Sequence, residues 1–299
     1  MFLQYFQIVS WAFSSEAIWV SNSGVILSFM QIPKFLYGTA WKEDATQDCV
    51  ARALAAGFRG IDTANQRKHY YEAGVGEALK ASGVSRSELF LQTKFTYQRG
   101  QDHRLPYDPE APTATQVRQS FESSLEHLQT DYLDSLILHG PSIPNGPSLD
   151  KMDWEAWREM EALHAEKRTR FLGVSNVTAS QLKELYEGAK VKPTFAQIRT
   201  FARTGWDREK RMYCLENNVV FQGFSLLTAN KDLVDGAKVS RIAERLSVTP
   251  SQVIFAFARQ VGMLPITGTK DSLHMKQNLD SLSLTLETSD LNAIDETHL

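Results

Sequence analysis

Eight short apolar runs alternate with longer stretches whose apolar residues recur every three or four positions, and this alternation constrains the fold more than any other feature. The runs are FLYG (35–38), RGID (59–62), LFLQTK (89–94), DSLILH (134–139), FLGVS (171–175), FAQI (195–198), VVFQGF (219–224) and GMLPI (262–266). Between them the helical period is clear over 46–56, 117–128, 154–166, 179–188 and 208–217. Strand then helix, repeated over roughly 250 residues, predicts a (β/α)8 TIM barrel, with a doubly wound open sheet as its rival. No run is followed by G-x-G-x-x-G opening a helix, which weighs against the open sheet. The Gly74-Val75-Gly76 stretch lies inside a helical pattern instead. The loops after the third and fourth runs are long and rich in Pro, Gly and Asp, which fits a barrel that keeps its chemistry at the strand C-termini. No linker divides the chain, so residues 31–299 read as a single domain.

Residues 1–30 stand apart as an apolar N-terminal extension, with Glu16 their only charged side chain. The basic start and small-residue cleavage site of a signal peptide are missing. Ser21, Asn22, Ser23 and Gly24 interrupt the run of about 20 apolar residues that a spanning helix requires. The segment therefore reads as a sheet-like plug or as an extension foreign to the domain, and no membrane partner is expected. A net charge of −3 without a basic run gives no reason to expect nucleic acid. Cys49 and Cys214, far apart and outside any Cys/His cluster, suggest neither a disulfide nor a zinc site, which fits the reducing cytoplasm. No heptads or apolar stripe stand out, and a monomer is the default.

The strand ends carry the chemistry. They read Asp62, Lys94, His139, Ser175 with Asn176, Gln197, and Phe224 with Ser225. Singly, each has a bland explanation: a cap, a solvated strand end, a satisfied core histidine. In a barrel, however, all of them meet at one face. A tyrosine hydroxyl, with an ordinary pKa of about 10, donates a proton efficiently at neutral pH only if its anion is stabilised. A nearby ammonium does that, and a buried carboxylate keeps the ammonium charged. Asp62, Lys94 and a tyrosine from the loop after Asp62 compose such a chain, with His139 available to orient a substrate oxygen and no metal required.

The motifs YGTA, GIDTA with VGEAL, LQTK, DSLILHGP, RFLGVSN, QGFSLL and PITGTKDSLHMKQNL occur in an order that resembles the aldo-keto reductases, over roughly 32–298. The resemblance implies a barrel that binds an extended nicotinamide dinucleotide, normally NADPH, and reduces aldehydes or ketones by hydride transfer. Asp62, Lys94 and His139 then correspond to three members of the catalytic tetrad. The family's spacing from the aspartate would place its tyrosine at Arg67, and counting back from Glu72 gives His69. A branch carrying an HYxE motif, matched here by HYYE, selects Tyr70 as the general acid and leaves Tyr71 outside. The same resemblance gives Ser175, Asn176 and Gln197 to the nicotinamide carboxamide, Phe224 to the nicotinamide ring, and Ser225, Leu226, Thr228 and Asn230 to the pyrophosphate. Thr39 would lie under the cofactor. Thr267, Gly268, Thr269 and Lys270 match the phosphate-contacting turn, with Gln277 and Asn278 at the adenine. His274 stands where the family has an arginine for the 2'-phosphate, which leaves NADH as an alternative to NADPH.

Trp41, Tyr97 and Tyr107 are expected to line the substrate pocket, with Phe201 and Trp206 also available as walls and Arg199 and Arg203 as partners for an acidic group. Two other readings stand beside the small-molecule carbonyl reductase. One is a cofactor-binding subunit that senses redox state and reports to a partner. The other is a cofactor-free hydrolase, which needs a second strand-end acid that the sequence does not offer.

Overall fold

Parallel strands cannot be joined by a tight turn, so each needs a crossover, and the helical stretches of this sequence supply them. The computed structural model describes residues 32–296. Its strands are β1 Leu36–Gly38, β2 Gly60–Asp62, β3 Phe90–Phe95, β4 Leu133–Leu138, β5 Thr169–Ser175, β6 Phe195–Arg199, β7 Val220–Phe224 and β8 Met263–Thr267. They pair in sequence order, all parallel, and β8 closes onto β1. The closed barrel settles the choice against an open sheet. The helix expected over 117–128 begins earlier, as Thr113–Leu128, because its first turn, Thr113 to Gln116, has only the small Ala114 as an apolar residue and so does not show the helical period. Likewise the helix expected over 154–166 is Lys151–Ala165, started by a capping box in which Asp150 accepts from the Asp153 amide and Asp153 accepts from that of Asp150, each at 3.0 Å. The extension expected over 1–30 lies outside the described residues. No helix among the described residues is long and apolar enough to cross a membrane.

Alternation along each strand sorts side chains into two cores. Outward residues such as Ile61, Leu91, Leu136, Val174, Ala196 and Phe221 pack with the helices in the larger one. Inward residues Leu36, Phe90, Ile137, Phe195, Leu264 and Ile266 fill the barrel itself. Gly173 points into that plug, where a Cβ would lie 2.3 Å from Ile137 Cδ1 and 2.9 Å from Phe195 Cβ, so only a bare backbone fits. Two residues further along β3 and β6 the interior turns polar, at Gln92 and Gln197, joined by Gln222 of β7 and Asp62 of β2. The strand registers pair Asp62 with Gln92 and Gln197 with Gln222. This polar layer is the floor of the C-terminal mouth.

The seam between the first and last strands is stitched by side chains as well. Tyr37 donates to the Thr269 carbonyl at 2.8 Å, Lys42 to that of Gly268 at 2.7 Å, and Arg52 to that of Lys270 at 2.6 Å.

Candidate active site

Asp62 ends β2 and Lys94 is the penultimate residue of β3, so period-two alternation turns both inward. Lys94 Nζ donates to both Asp62 carboxylate oxygens at 2.8 Å and to the Thr63 carbonyl at 2.7 Å. Gln92 Nε2, at 2.7 Å, and Gln197 Nε2, at 3.0 Å, add to the same Asp62 oxygen. Both amides also reach Gln222 Oε1 at 2.9 Å, and Gln222 donates back to Gln92. A buried ion pair is tolerable only when its hydrogen-bonding capacity is met, and here Gln92 and Gln197 donate to Asp62 while Gln222 holds both of them. Burial pulls the Lys94 ammonium below the ordinary lysine range, opposed by the charges of Asp62 and then Glu72. Glu72 is itself buried, accepting from Thr93 Oγ1 at 2.5 Å and Ser124 Oγ at 3.1 Å, with His127 Nδ1 at 3.5 Å.

The loop after β2 is held from three sides. Its Gln66 carbonyl accepts the amides of His69 and Tyr70, the Gln66 side chain donates to Gly100, and the Trp41 amide donates to the His69 carbonyl. The four residues in question part company. Arg67 reaches Ser123 Oγ at 3.3 Å. His69 stacks under Trp41 with ring centroids 3.7 Å apart. Tyr71 is half exposed and lies over Gly74, at the outer start of the helix Glu72–Ser82. Tyr70 faces the buried pair, its ring 5.2 Å from Lys94 Nζ and edge-on to His139 at 6.0 Å. Among the described residues no group hydrogen-bonds its hydroxyl. Burial, and then the Asp62 charge, hold that hydroxyl well above the ordinary tyrosine range, so it is protonated at neutral pH.

His139 follows β4 directly. Its amide is bonded to the Phe95 carbonyl at 2.9 Å, its carbonyl accepts from Asn176 Nδ2 at 2.9 Å, and Thr96 Oγ1 is 2.7 Å from its Nδ1. Burial, followed by the charges of Lys94, His69 and Arg99, keeps the imidazole well below its ordinary pKa and therefore neutral.

Around this centre the other expected residues divide. Ser175 donates to the Gln197 carbonyl at 2.8 Å, while Asn176 and Ser225 take left-handed backbone at φ 55° and 57°, turning the chain sharply at the mouth. Phe224 is half-buried beside them, Leu226 is buried and Thr228 exposed. Thr39 donates to the Asp62 carbonyl at 3.2 Å. Thr267 and Asn278 are buried against each other at 3.0 Å, whereas Gly268, Lys270 and His274 are exposed and Thr269 and Gln277 half-buried at the rim. Asn230 departs from expectation: it accepts from the Ala202 amide and donates to the carbonyls of Thr200 and Leu226, so its side chain braces the loop. Tyr97 and Tyr107 do too. Both are buried against Phe95, with one hydroxyl on Asp153 at 2.9 Å and the other on the Thr96 carbonyl at 2.8 Å, and neither is left for a ligand. Trp206 is wholly buried, donating to the Ile294 carbonyl, while Arg199 and Arg203 both lie over the Phe201 ring. Trp41 is 64% exposed.

Sequence reasoning passed over Lys42. It is buried at Gly268 without a carboxylate partner among the described residues, and burial, with the Lys270 charge acting the same way, pushes it down to about 8. It also missed Gln92, Gln222 and Thr96, although the inward period on β3 and β7 marks the first two as polar residues inside a barrel.

Comparison with known proteins gives the site a context. The profile of the aldo/keto reductase family matches residues 35–298. The glyoxal reductase of Bacillus subtilis is 31% identical over 269 residues, covering 89% of each chain. The crystal structure of an aldo/keto reductase from Brucella melitensis superposes with a TM-score of 0.78 at 27% identity, over 93% of this chain and 97% of that one. A Bombyx mori aldo-keto reductase, solved in complex with NADP, shares the fold with a TM-score of 0.76 at 23% identity, over 93% of this chain and 90% of its own.

Proposed function

Because the chain belongs to the aldo/keto reductase family, we propose that it reduces small aldehydes or ketones to alcohols with NADPH, using Tyr70 as general acid supported by Lys94, Asp62 and His139. The observation that carries the reading is the meeting of a protonated tyrosine, a buried Asp–Lys pair and a neutral histidine at one mouth of the barrel. NADPH, when bound, would be the source of the hydride that the carbonyl carbon accepts. The protein's part is to orient, to exclude water and to deliver the proton. Tyr70 starts with its proton in place, and the Lys94 charge stabilises the phenolate left when the proton moves to the substrate oxygen. Asp62 and its glutamines keep that ammonium charged and fixed. His139 hydrogen-bonds the substrate oxygen, and Trp41 walls the pocket.

The donor set at the rim suits a dinucleotide phosphate. Lys42 is a buried cation without an acid partner among the described residues, Gly268 leaves the turn bare, and exposed Lys270 and His274 stand beside it. Lys42 and Lys270 would hold the phosphates and Ser175, Asn176 and Gln197 the carboxamide. The absence of the arginine at 274 puts the discrimination between NADPH and NADH on Lys270. Since the glyoxal reductase of Bacillus subtilis is similar over most of both chains, small dicarbonyls such as glyoxal are the first substrates to try.

Absorbance at 340 nm with NADPH and a panel of aldehydes tests the reading. Tyr70→Phe should lower kcat by two or more orders of magnitude, the size of a lost general acid, and Tyr71→Phe should leave it unchanged. Tight NADPH binding with no turnover on any carbonyl would overturn the reductase in favour of a redox-sensing subunit.

A further inference from the structure

A neutral histidine can present either a donor or an acceptor to a ligand, and which it presents depends on where its single ring proton sits. His139 has Thr96 Oγ1 at 2.7 Å from Nδ1. Thr96 Oγ1 has no other partner among the described residues, so the hydroxyl proton has one acceptor, Nδ1, and the ring proton is left on Nε2. We propose that Thr96 is a positioning residue that fixes His139 as the Nε2–H tautomer, so that the histidine donates to the carbonyl oxygen of the substrate. This deepens the reductase reading above and rests on it for the substrate's place at His139.

The setting of Thr96 makes the assignment specific. Its carbonyl is held by the Tyr107 hydroxyl at 2.8 Å and by Gln101 Nε2 at 3.3 Å, which fixes the backbone. Its Cγ2 methyl lies where a Cβ on Gly100 would come to 2.7 Å, so the methyl is seated under that glycine. A β-branched side chain with its methyl seated has one χ1 available, and here that angle aims the hydroxyl at the imidazole. With the residue only 6% exposed, water has little access to compete for Nδ1. Tyr107, expected to line the substrate pocket, is instead a prop for this contact.

The wild-type enzyme labelled with 15N-histidine, its His139 signal identified by loss in His139→Asn, should show Nε2 protonated and Nδ1 bare. Thr96→Val keeps the shape and removes the donor. It should mix the tautomers and lower kcat about tenfold, as for one hydrogen bond, with NADPH affinity by fluorescence quenching unchanged; Thr96→Ser should restore both. A wild-type spectrum with the proton on Nδ1, or a Thr96→Val spectrum identical to wild type, overturns the proposal. If the tautomers shift as expected but wild type reduces no carbonyl, the reductase reading fails while the Thr96 assignment stands.

Discussion

Lys42, Tyr70 and His139 are each held away from their ordinary proton affinity, and each sign yields a measurement. Lys42 loses its charge as pH rises past about 8, so NADPH affinity by fluorescence quenching should weaken above that pH. Lys42→Met should remove the step and leave binding about ten- to a hundredfold weaker throughout, the range of a charged hydrogen bond. With cofactor saturating, the proposed acid Tyr70 and its neighbour His139 behave differently. Tyr70 titrates above its ordinary value of 10.0 and His139 below its ordinary 6.5, so neither ionises between those limits. The pH profile of kcat for reduction should be flat across that interval, while alcohol oxidation, which needs the tyrosinate, should climb toward its upper end. An acidic limb near the ordinary histidine value that disappears in His139→Gln would contradict this. The placement of Asp62, Lys94 and His139 at strand ends is legible in the sequence, and Tyr70 of HYYE, the proposed acid, lies beside Lys94 and His139. What the sequence hides is direction. Tyr97, Tyr107 and Asn230 have the right residue types for a site but face inward, onto Asp153, the Thr96 carbonyl and the 200–202 loop, and spacing alone carries no rotamer.

The helix Glu72–Ser82 shows how an element delivers the site. Its Gly76 faces the helix Thr113–Leu128 so closely that a Cβ would lie 2.1 Å from the His127 carbonyl oxygen. Alanine is the better helix former by about 1 kcal/mol. Gly76→Ala should nonetheless destabilise by about 1–3 kcal/mol in urea titration, because backbone must move to admit the methyl. It should also lower turnover, since the same helix begins at Glu72, which is fastened to Thr93 and Ser124, with Tyr70 two residues earlier. Stability at or above wild type would show that the two helices can part freely. The eight strands are readable because buried parallel strands are short apolar runs bounded by polar helices. Helix starts are less so: the helices from Thr113 and Lys151 open on segments, 113–116 and 151–153, with a single apolar residue each, too few to mark a period.

At the scale of the whole barrel, closure depends on its shortest members. β1 and β2 have three residues each, against seven in β5. Tyr37, Lys42 and Arg52 add side-chain hydrogen bonds across the β1–β8 seam, all to the 267–270 turn. Hydrogen exchange should therefore be fastest among the strands at β1. Saturating NADPH should slow β1 and the 267–270 turn together, because a ligand at that turn adds its binding free energy to the closed state. Protection gained at the turn alone would mean that the seam and the cofactor site are uncoupled.

The order in which the chain leaves the ribosome gives that seam a further meaning. β1 is made first and can wait beside β2, but its other neighbour and the turn that receives Tyr37, Lys42 and Arg52 come some 230 residues later. Asp62, Tyr70, Lys94 and His139, the residues proposed as catalytic, are all in the polypeptide once His139 has emerged, yet the ring that gives them walls is not. A product stalled before β8 would carry the proposed site residues without a closed vessel, so the barrel can hold a substrate only after β8 and the turn that follows it have been made.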